Sequence, residues 1–295
     1  MAIEIKDLTV SFKNGTTALN HVNLSIHKGI FGLLGENGAG KTTLMRILTT
    51  ILKPTSGQVI LNETELKKEA YGIVQRKIGY LPQELGLYPN LTVLEALEYM
   101  GGLSGLEKAE CRRRIDYYLE KTSLTAHYKK KNRQLSGGMK RRVGLVQALL
   151  HDPEILIVDE PTTGLDPEER IRIRNLLMDF SRDRTVLFST HVVEDLAATC
   201  KELAILKRGN IVYSGDRSTL LNYTKEHVWI CRTGNEEEFD RVQKQYIISS
   251  KKYIEDGVEV RIISDTKPDL ICRADEASLE DAYIYAMNFK ELKNF

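Results

Sequence analysis

The chain has 295 residues, and its 42 lysines and arginines nearly balance 41 aspartates and glutamates. This length predicts one main domain with a smaller one, and the formal net charge of +1 disfavours a protein that mainly binds nucleic acid. No apolar run approaches the roughly 20 residues needed to cross a bilayer, and the first residues lack a basic-then-apolar export signal. We therefore expect no nucleic-acid partner, and any work at a membrane requires the helices of another protein.

The cysteines stand alone in the sequence, without a Cys-x-x-Cys pair or a nearby histidine that could complete a metal site. They are Cys111, Cys200, Cys231 and Cys272. This pattern favours reduced, structural thiols in a cytosolic protein.

The first third of the chain predicts strands followed by a phosphate-binding loop. Residues 3–10 and 22–26 nearly alternate polar and apolar, with a turn at Asn14-Gly15, which indicates an antiparallel hairpin or meander. After the apolar run 30–34, residues 35–43 read Gly-Glu-Asn-Gly-Ala-Gly-Lys-Thr-Thr and open a helical pattern. The glycines Gly35, Gly38 and Gly40 allow backbone N–H groups to point inward. Lys41 supplies a charge for the β- and γ-phosphates, and the Thr42 hydroxyl is placed to ligate Mg²⁺. The alternative is a glycine-rich turn that happens to precede a helix.

The rest of the chain divides into three regions. Residues 88–150 show helical periods and predict an insert of about three helices. Apolar strands at 155–158, 185–189, 203–206 and 211–213, separated by helical segments, predict a parallel sheet with both faces covered. Beyond Asp216 the sequence is more charged and predicts a small α/β region, with strands at 228–232 and 258–263 and helices at 237–245 and 278–287.

Several polar side chains follow strands of the predicted parallel sheet. Asp159 and Glu160 end the strand 155–158, where Asp159 is expected to hold Mg²⁺ through its water shell and Glu160 to act as general base for a water. The alternative for this pair is a solvated helix cap. His191 follows the strand 186–189 and either reaches the γ-phosphate or is structural. Gln83 either contacts Mg²⁺ or its water, or caps a loop.

Ser136-Gly137-Gly138 precedes a helix that is expected to begin near Met139, which offers a hydroxyl and bare amides to an anion. Two anion-binding helix starts serve one triphosphate most simply when two protomers face each other. The alternative is an ordinary capped helix. The run Lys140-Arg141-Arg142 is interpreted as a helix face that is wetted by solvent or that shields phosphate, rather than a nucleic-acid site.

These motifs, with Gly164-Leu165-Asp166, resemble in order and spacing the nucleotide-binding subunit of ATP-binding cassette (ABC) transporters, over about residues 3–216. The resemblance implies an α/β fold: a P-loop NTPase parallel-sheet core with an antiparallel β subdomain and a helical insert at about 88–150. The nucleotide-binding domain is expected at residues 1–217 and a small accessory α/β domain at 218–295.

The resemblance also implies an ATP sandwich, in which the phosphate-loop side of one protomer meets Ser136 and Gly138 of the other. The implied catalytic residues are Glu160, His191, Lys41 and Gln83, and the implied Mg²⁺ contacts are Thr42, Gln83 and Asp159. Implied ATP contacts are Phe12, Gly35, Asn37, Gly38, Ala39, Gly40, Lys41, Thr42, Thr43, Ser136, Gly137, Gly138 and Asp166. Phe12 matches an aromatic that stacks on adenine, with a core phenylalanine as the alternative, and Asp166 would couple the two sites. Met139 stands where glutamine is usual, which removes one polar contact.

Residues 80–106 and 277–283 resemble the bacterial drug-exporter branch typified by daunorubicin-resistance ATPases. We therefore expect an ATPase subunit that drives export through a separate integral membrane permease, as a homodimer or pseudo-symmetric dimer of cassettes on the cytoplasmic face of the cell membrane. One alternative is a soluble ABC ATPase of repair or translation, although this chain has neither a long coiled coil between its motifs nor two cassettes. Another is an ATP-gated regulatory binding module whose tail senses a ligand.

Overall fold

A computed structural model describes residues 2–289. The strands in chain order are β1 (Ile3–Ser11), β2 (Thr17–Ile26), β3 (Gly29–Leu34), β4 (Ser56–Leu61), β5 (Thr64–Glu65), β6 (Ile78–Leu81), β7 (Ile155–Asp159), β8 (Thr185–Thr190), β9 (Glu202–Lys207), β10 (Asn210–Asp216), β11 (Val228–Thr233), β12 (Ile247–Ile254), β13 (Gly257–Ile263) and β14 (Cys272–Ala274). The helices are α1 (Lys41–Leu48), α2 (Tyr71–Lys77), α3 (Val93–Leu103), α4 (Lys108–Lys121), α5 (Gly137–Leu149), α6 (Pro167–Phe180), α7 (Val193–Thr199), α8 (Arg217–Thr224), α9 (Glu236–Gln245) and α10 (Leu279–Asn288).

The N-terminal strands form an antiparallel sheet in the order β2-β1-β4-β5. Strand β1 pairs with β2 in a register that sets Ile3 opposite Ile26 and Ile5 opposite Leu24. These side chains are buried in one cluster with α1, because alternation places every second residue on the inner face. The predicted antiparallel β subdomain is confirmed.

The central sheet has the order β10-β9-β3-β8-β7-β6. Strands β6, β7, β8, β3 and β9 are parallel, as predicted, so their carboxyl ends meet at one edge. The strand predicted at 211–213 is present as part of β10, but the prediction that it runs parallel is wrong, since β10 is antiparallel to β9. The turn between them explains the reversal, because Arg208 and Gly209 both adopt positive φ, at 46° and 80°.

The helical insert contains the three predicted helices, α3, α4 and α5, around a hydrophobic cluster of their own. Arg141 and Arg142, however, are each only 7% exposed on α5. The interpretation of this run as a solvated or phosphate-shielding face is therefore wrong for both arginines. Their neighbours from Val143 to Val146 are also buried, so this part of α5 has no solvent-exposed face.

The C-terminal region forms an antiparallel sheet in the order β12-β13-β11-β14, and α9 packs on it through Phe239 and Val242. Cys231 and Cys272 lie directly opposite each other on β11 and β14 and form a disulfide. The expectation of reduced thiols is therefore wrong for this pair, because the strand register brings two cysteines distant in sequence together. Cys111 and Cys200 are free and buried, as expected.

Helices α8 and α10 pack against the central sheet. Leu220 and four side chains of α10 belong to the same buried cluster as Phe188 and Ile205; the four are Leu279, Ala282, Ala286 and Met287. The Arg261 guanidinium on β13 pairs with Asp281 on α10 at 2.8 Å, which ties the C-terminal sheet to that helix. The division into domains at 217 and 218 stays a prediction. Among residues 2–289, none of the helices combines the length and apolarity needed to span a membrane.

Candidate active site

The phosphate loop lies between β3 and α1 and is shaped by close packing against neighbouring backbone. A β-carbon at Gly35 would collide with the carbonyl oxygen of Leu206, and one at Gly40 with that of Ala18. Gly40 also adopts a φ of 111°, a conformation that glycine adopts without steric cost. The hairpin between β9 and β10 supports the loop from outside, since Gly209 N–H donates to the Ala39 carbonyl at 2.8 Å.

Lys41 is 5% exposed and is held by its own loop. Its ammonium donates to the carbonyls of Gly35 at 2.6 Å and Glu36 at 3.1 Å. Burial lowers the pKa of Lys41, while the neighbouring carboxylates Glu160, Asp159 and Glu36 act in the opposite direction. The lysine is thus a buried donor whose charged form gains from negative groups, as a phosphate-binding lysine requires.

The two predicted carboxylates end β7 and face the loop. Asp159 is fully buried, and its Oδ2 accepts a hydrogen bond from the Thr42 hydroxyl at 2.8 Å while its Oδ1 accepts from Ser189. Hydroxyl and carboxylate oxygens are hard ligands that suit Mg²⁺, so the predicted pair fits that ion. Ser189 lies on β8 beside Asp159 and was not predicted as a site residue. The available signal was its position two residues before His191.

Glu160 lies at the centre of the polar side chains that gather where the carboxyl ends of the parallel strands meet. Its Oε1 lies 3.0 Å from His191 Nδ1 and 4.0 Å from Lys41 Nζ, and its Oε2 lies 3.4 Å from Gln83 Nε2. Thr163 Oγ1 also donates to Oε2 at 3.2 Å. Glu160 adopts a φ of 51°, a left-handed conformation that costs a non-glycine residue about 1 kcal/mol. The structure therefore brings the predicted catalytic residues together.

A cavity of about 260 Å³ lies over the phosphate loop. Most residues of the loop line this cavity, together with Ala18, Gln83 and Glu160. Asn37, Gly38, Thr42 and Thr43 line this cavity, and their contact with ATP stays a prediction. Ala39 does not line the cavity, because its side chain is buried in the N-terminal cluster.

Ser136, Gly137 and Gly138 lie at the start of α5 and do not line this cavity. The Ser136 hydroxyl caps the helix by accepting from Met139 N–H at 3.2 Å. A β-carbon at Gly138 would lie 2.7 Å from the end of the Glu169 side chain on α6, which would have to shift. Asp166 is the N-cap residue of α6, and its side chain makes no capping hydrogen bond.

Phe12 follows β1 and is 42% exposed, so the alternative of a core phenylalanine is wrong. The ring does not line the cavity over the phosphate loop. Its stacking on adenine stays a prediction.

Arg141 is the residue that sequence reasoning missed most clearly. It lies behind Gln83 and Glu160 and donates to main-chain carbonyls at both positions. The signal that could have found it is the run of apolar residues that follows it on α5, which predicts a helix buried on several sides.

Comparisons with known proteins show the family of the chain. Residues 19–163 match the family model described as ABC transporter. The chain is 36% identical over 249 residues to the uncharacterised ABC transporter ATP-binding protein YxlF of Bacillus subtilis, covering 83% of this chain and 81% of that protein. It is 36% identical over 206 residues to the linearmycin resistance ATP-binding protein LnrL of the same species, covering 69% and 66%.

Solved structures give the same result. The fold is similar to the ATP-binding subunit of an ABC transporter, with a TM-score of 0.70, 27% identity, and coverage of 76% of this chain and 93% of that one. It is also similar to a dimeric ATP-binding cassette in a post-hydrolysis state with ADP and phosphate, with a TM-score of 0.68, 28% identity, and coverage of 72% and 98%.

Proposed function

The chain belongs to the ABC transporter family as an ATP-binding subunit with ATPase activity, and on that premise we propose that it drives export through a separate transmembrane permease by ATP-dependent pairing of two copies. The observation that carries the proposal is the convergence of Lys41, His191 and Gln83 on the Glu160 carboxylate. Lys41, Gln83 and Glu160 also line the cavity over the phosphate loop. These groups come from four separate segments, and the fold brings them to a single edge.

In the proposed mechanism the phosphate loop and Lys41 bind the β- and γ-phosphates of ATP. Mg²⁺, held by Thr42, Asp159 and Gln83, would neutralise charge on the phosphates. Glu160 takes the proton of the attacking water, and His191 orients the carboxylate through its contact with Oε1.

The position of the second predicted anion-binding motif supports pairing. Ser136 and Gly138 start α5 outside the cavity of their own chain, so they are available to the ATP of a second copy. The dimeric cassette that this chain resembles supports such an arrangement. ATP then acts as a switch whose strength equals its differential affinity for the paired state.

The permease partner, the position on the cytoplasmic membrane face and the direction of transport are part of the proposal. The similarity to a linearmycin resistance ATP-binding protein supports export of a drug-like compound. We also propose the division into a nucleotide-binding domain, 1–217, and an accessory domain, 218–295.

The decisive experiment uses Glu160→Gln in the full chain. Removing a general base slows hydrolysis by roughly 10²–10⁴ while leaving ATP binding largely intact. We therefore expect Glu160→Gln to bind ATP, to turn over barely, and to accumulate pairs that light scattering detects in saturating MgATP. Lys41→Ala is expected instead to weaken ATP binding itself, as measured by titration.

Glu154→Gln is the matched control, because Glu154 precedes the opposite end of β7 and is half exposed. It is expected to hydrolyse ATP like the unmodified chain. Rapid turnover by Glu160→Gln would remove Glu160 from its role. Failure of that variant to pair, even with MgATP and the membrane partner, would contradict the proposed mechanism.

A further inference from the structure

Arg141 makes an unusual set of contacts for a buried side chain. One terminal nitrogen donates to the carbonyls of Pro82 at 2.7 Å and Gln83 at 2.8 Å. The other donates to the carbonyls of Asp159 and Glu160, the second at 2.7 Å. The remaining nitrogen, Nε, has no hydrogen-bond partner within residues 2–289.

These four carbonyls belong to two adjacent strand ends. Pro82 and Gln83 directly follow β6, and Asp159 and Glu160 complete and follow β7, which pairs with β6. The side chains of Gln83 and Glu160 face the cavity, while their carbonyls are held by Arg141. A single guanidinium therefore fixes the separation of two main-chain segments that carry the proposed base and a proposed Mg²⁺ contact.

Arg141 also lies on the same helix as the second anion-binding motif. It is five residues beyond Ser136 and three beyond Gly138, within the first half of α5. Any movement of the helix start shifts this side chain as well, since an α-helix behaves as a rigid body over so few residues.

We propose that Arg141 is a positioning residue for ATP hydrolysis, which transmits the position of Ser136 and Gly138 to the main chain at Gln83 and Glu160. The inference rests on the proposed roles of Gln83 and Glu160 and on the proposed pairing of two copies. Docking of a second copy on the start of α5 then adjusts the base and the Mg²⁺ contact through one side chain.

The planar shape of the guanidinium is essential to this role. Its two terminal nitrogens serve two pairs of carbonyls at once, in a fixed fork. A lysine ammonium keeps the charge but is a point donor on a flexible stem, and it cannot hold both pairs in a defined geometry. Arg141→Lys therefore preserves the charge and much of the volume of the side chain while removing its proposed positioning role.

The test compares Arg141→Lys and Arg141→Gln with the unmodified full chain. Small misplacement of catalytic groups can cost about 100-fold in rate, so we expect kcat to fall about 10- to 100-fold in Arg141→Lys and further in Arg141→Gln. The ATP dissociation constant, measured by titration, is expected to stay unchanged because the phosphate loop is untouched. The Mg²⁺ concentration for half-maximal activity is expected to rise, because Gln83 is less well placed.

Arg114→Lys is the matched control, since Arg114 also lies in the helical insert and donates to a main-chain carbonyl, that of Leu150, just beyond the other end of α5. It is expected to leave kcat and the Mg²⁺ response unchanged. Normal kcat in Arg141→Lys, or an equal loss in Arg114→Lys, would overturn the inference. Loss of ATP affinity together with kcat would also overturn it, because it indicates a general structural role. If the unmodified chain hydrolyses ATP normally in the same assay, those failures leave the proposed function intact.

Discussion

Two arginines, the buried Arg141 and the half-buried Arg261, organise two regions of this molecule in opposite ways. Arg141 holds the carboxyl edge of the central sheet through neutral carbonyls, and burial lowers its pKa against the influence of Asp159 and Glu160. Arg261 holds the C-terminal sheet against α10 by donating to the carboxylates of Asp281 and Asp275, and its hydrogen bond to Asp281 raises the pKa of Arg261.

On the proposed roles of Gln83 and Glu160, the difference separates a functional contact from a structural one. Arg261 is paired with two carboxylates, Asp275 and Asp281. Arg141 donates to the carbonyls directly behind the side chains of Gln83 and Glu160, without a carboxylate among its own hydrogen-bond partners within the described residues. We therefore expect changes around Arg261 to alter stability but not ATP turnover, and three predictions test this separation.

The largest effect is expected from Asp281→Ala. Asp281 is 1% exposed, and removing one partner of a buried ion pair costs about 3–5 kcal/mol. The loss includes the cap of α10, since Asp281 also accepts from Ser278 N–H at 2.8 Å. Hydrogen exchange of β11 to β13 is expected to become faster, with ATP turnover unchanged. Glu280→Ala, at the exposed neighbouring position, is the control. Slow exchange in both variants would contradict the structural role of the pair formed by Arg261 and Asp281.

A smaller effect is expected from opening the disulfide between Cys231 and Cys272. The bridge spans a sequence separation of 41 residues, and a disulfide typically stabilises a protein by about 2–4 kcal/mol. Adding a reductant is expected to destabilise the C-terminal sheet in a thermal melt and to leave ATP turnover unchanged. The double variant Cys231→Ser with Cys272→Ser is expected to unfold at a lower temperature than the unmodified chain, and the reductant is expected to leave that temperature unchanged. A reductant effect in that variant would point to another cause.

The smallest effect is expected from acid. Burial by itself raises the pKa of Asp281, but hydrogen bonds from Arg261 and Ser278 outweigh it and hold the pKa below the ordinary value of 3.8. The unfolded chain therefore binds this proton first as the pH falls, so the stability from ionised Asp281 is complete well above 3.8 and is lost as the pH falls through the lower folded value. Asp281→Asn is expected to lose less stability than the unmodified chain in melts between about pH 5 and about pH 3. Parallel curves for the two would contradict this.

The site was more predictable from the sequence than the fold around it. The phosphate loop, Asp159, Glu160 and His191 each follow a strongly apolar strand, and parallel strands bring their carboxyl ends to one edge whatever the loops between them do. The contact between His191 and Glu160 follows from that rule alone.

The missed strands have physical reasons. Strand β6 has four residues and includes Gly79, where a β-carbon would collide with the Ala148 carbonyl, so its strand signal is weak. Strand β12 is an edge strand with Ser249 and Lys251 at its centre, and exposure on one side removes the apolar pattern. Arg141 was misjudged because a basic run normally indicates a wet surface, and only the packing of α5 shows otherwise.

The packing of α10 has a consequence for handling the protein in parts. Its apolar side chains fill the layer beneath the central sheet, and Lys207 at the end of β9 donates to the Met287 carbonyl at the other end of the helix. Truncating the chain after residue 217 would therefore strip the cassette of part of its own interior and expose the apolar surface that Leu279 and Met287 now cover. Helix α10 thus completes the buried layer of the central sheet from within the proposed accessory domain, even though the whole C-terminal sheet separates the two along the sequence.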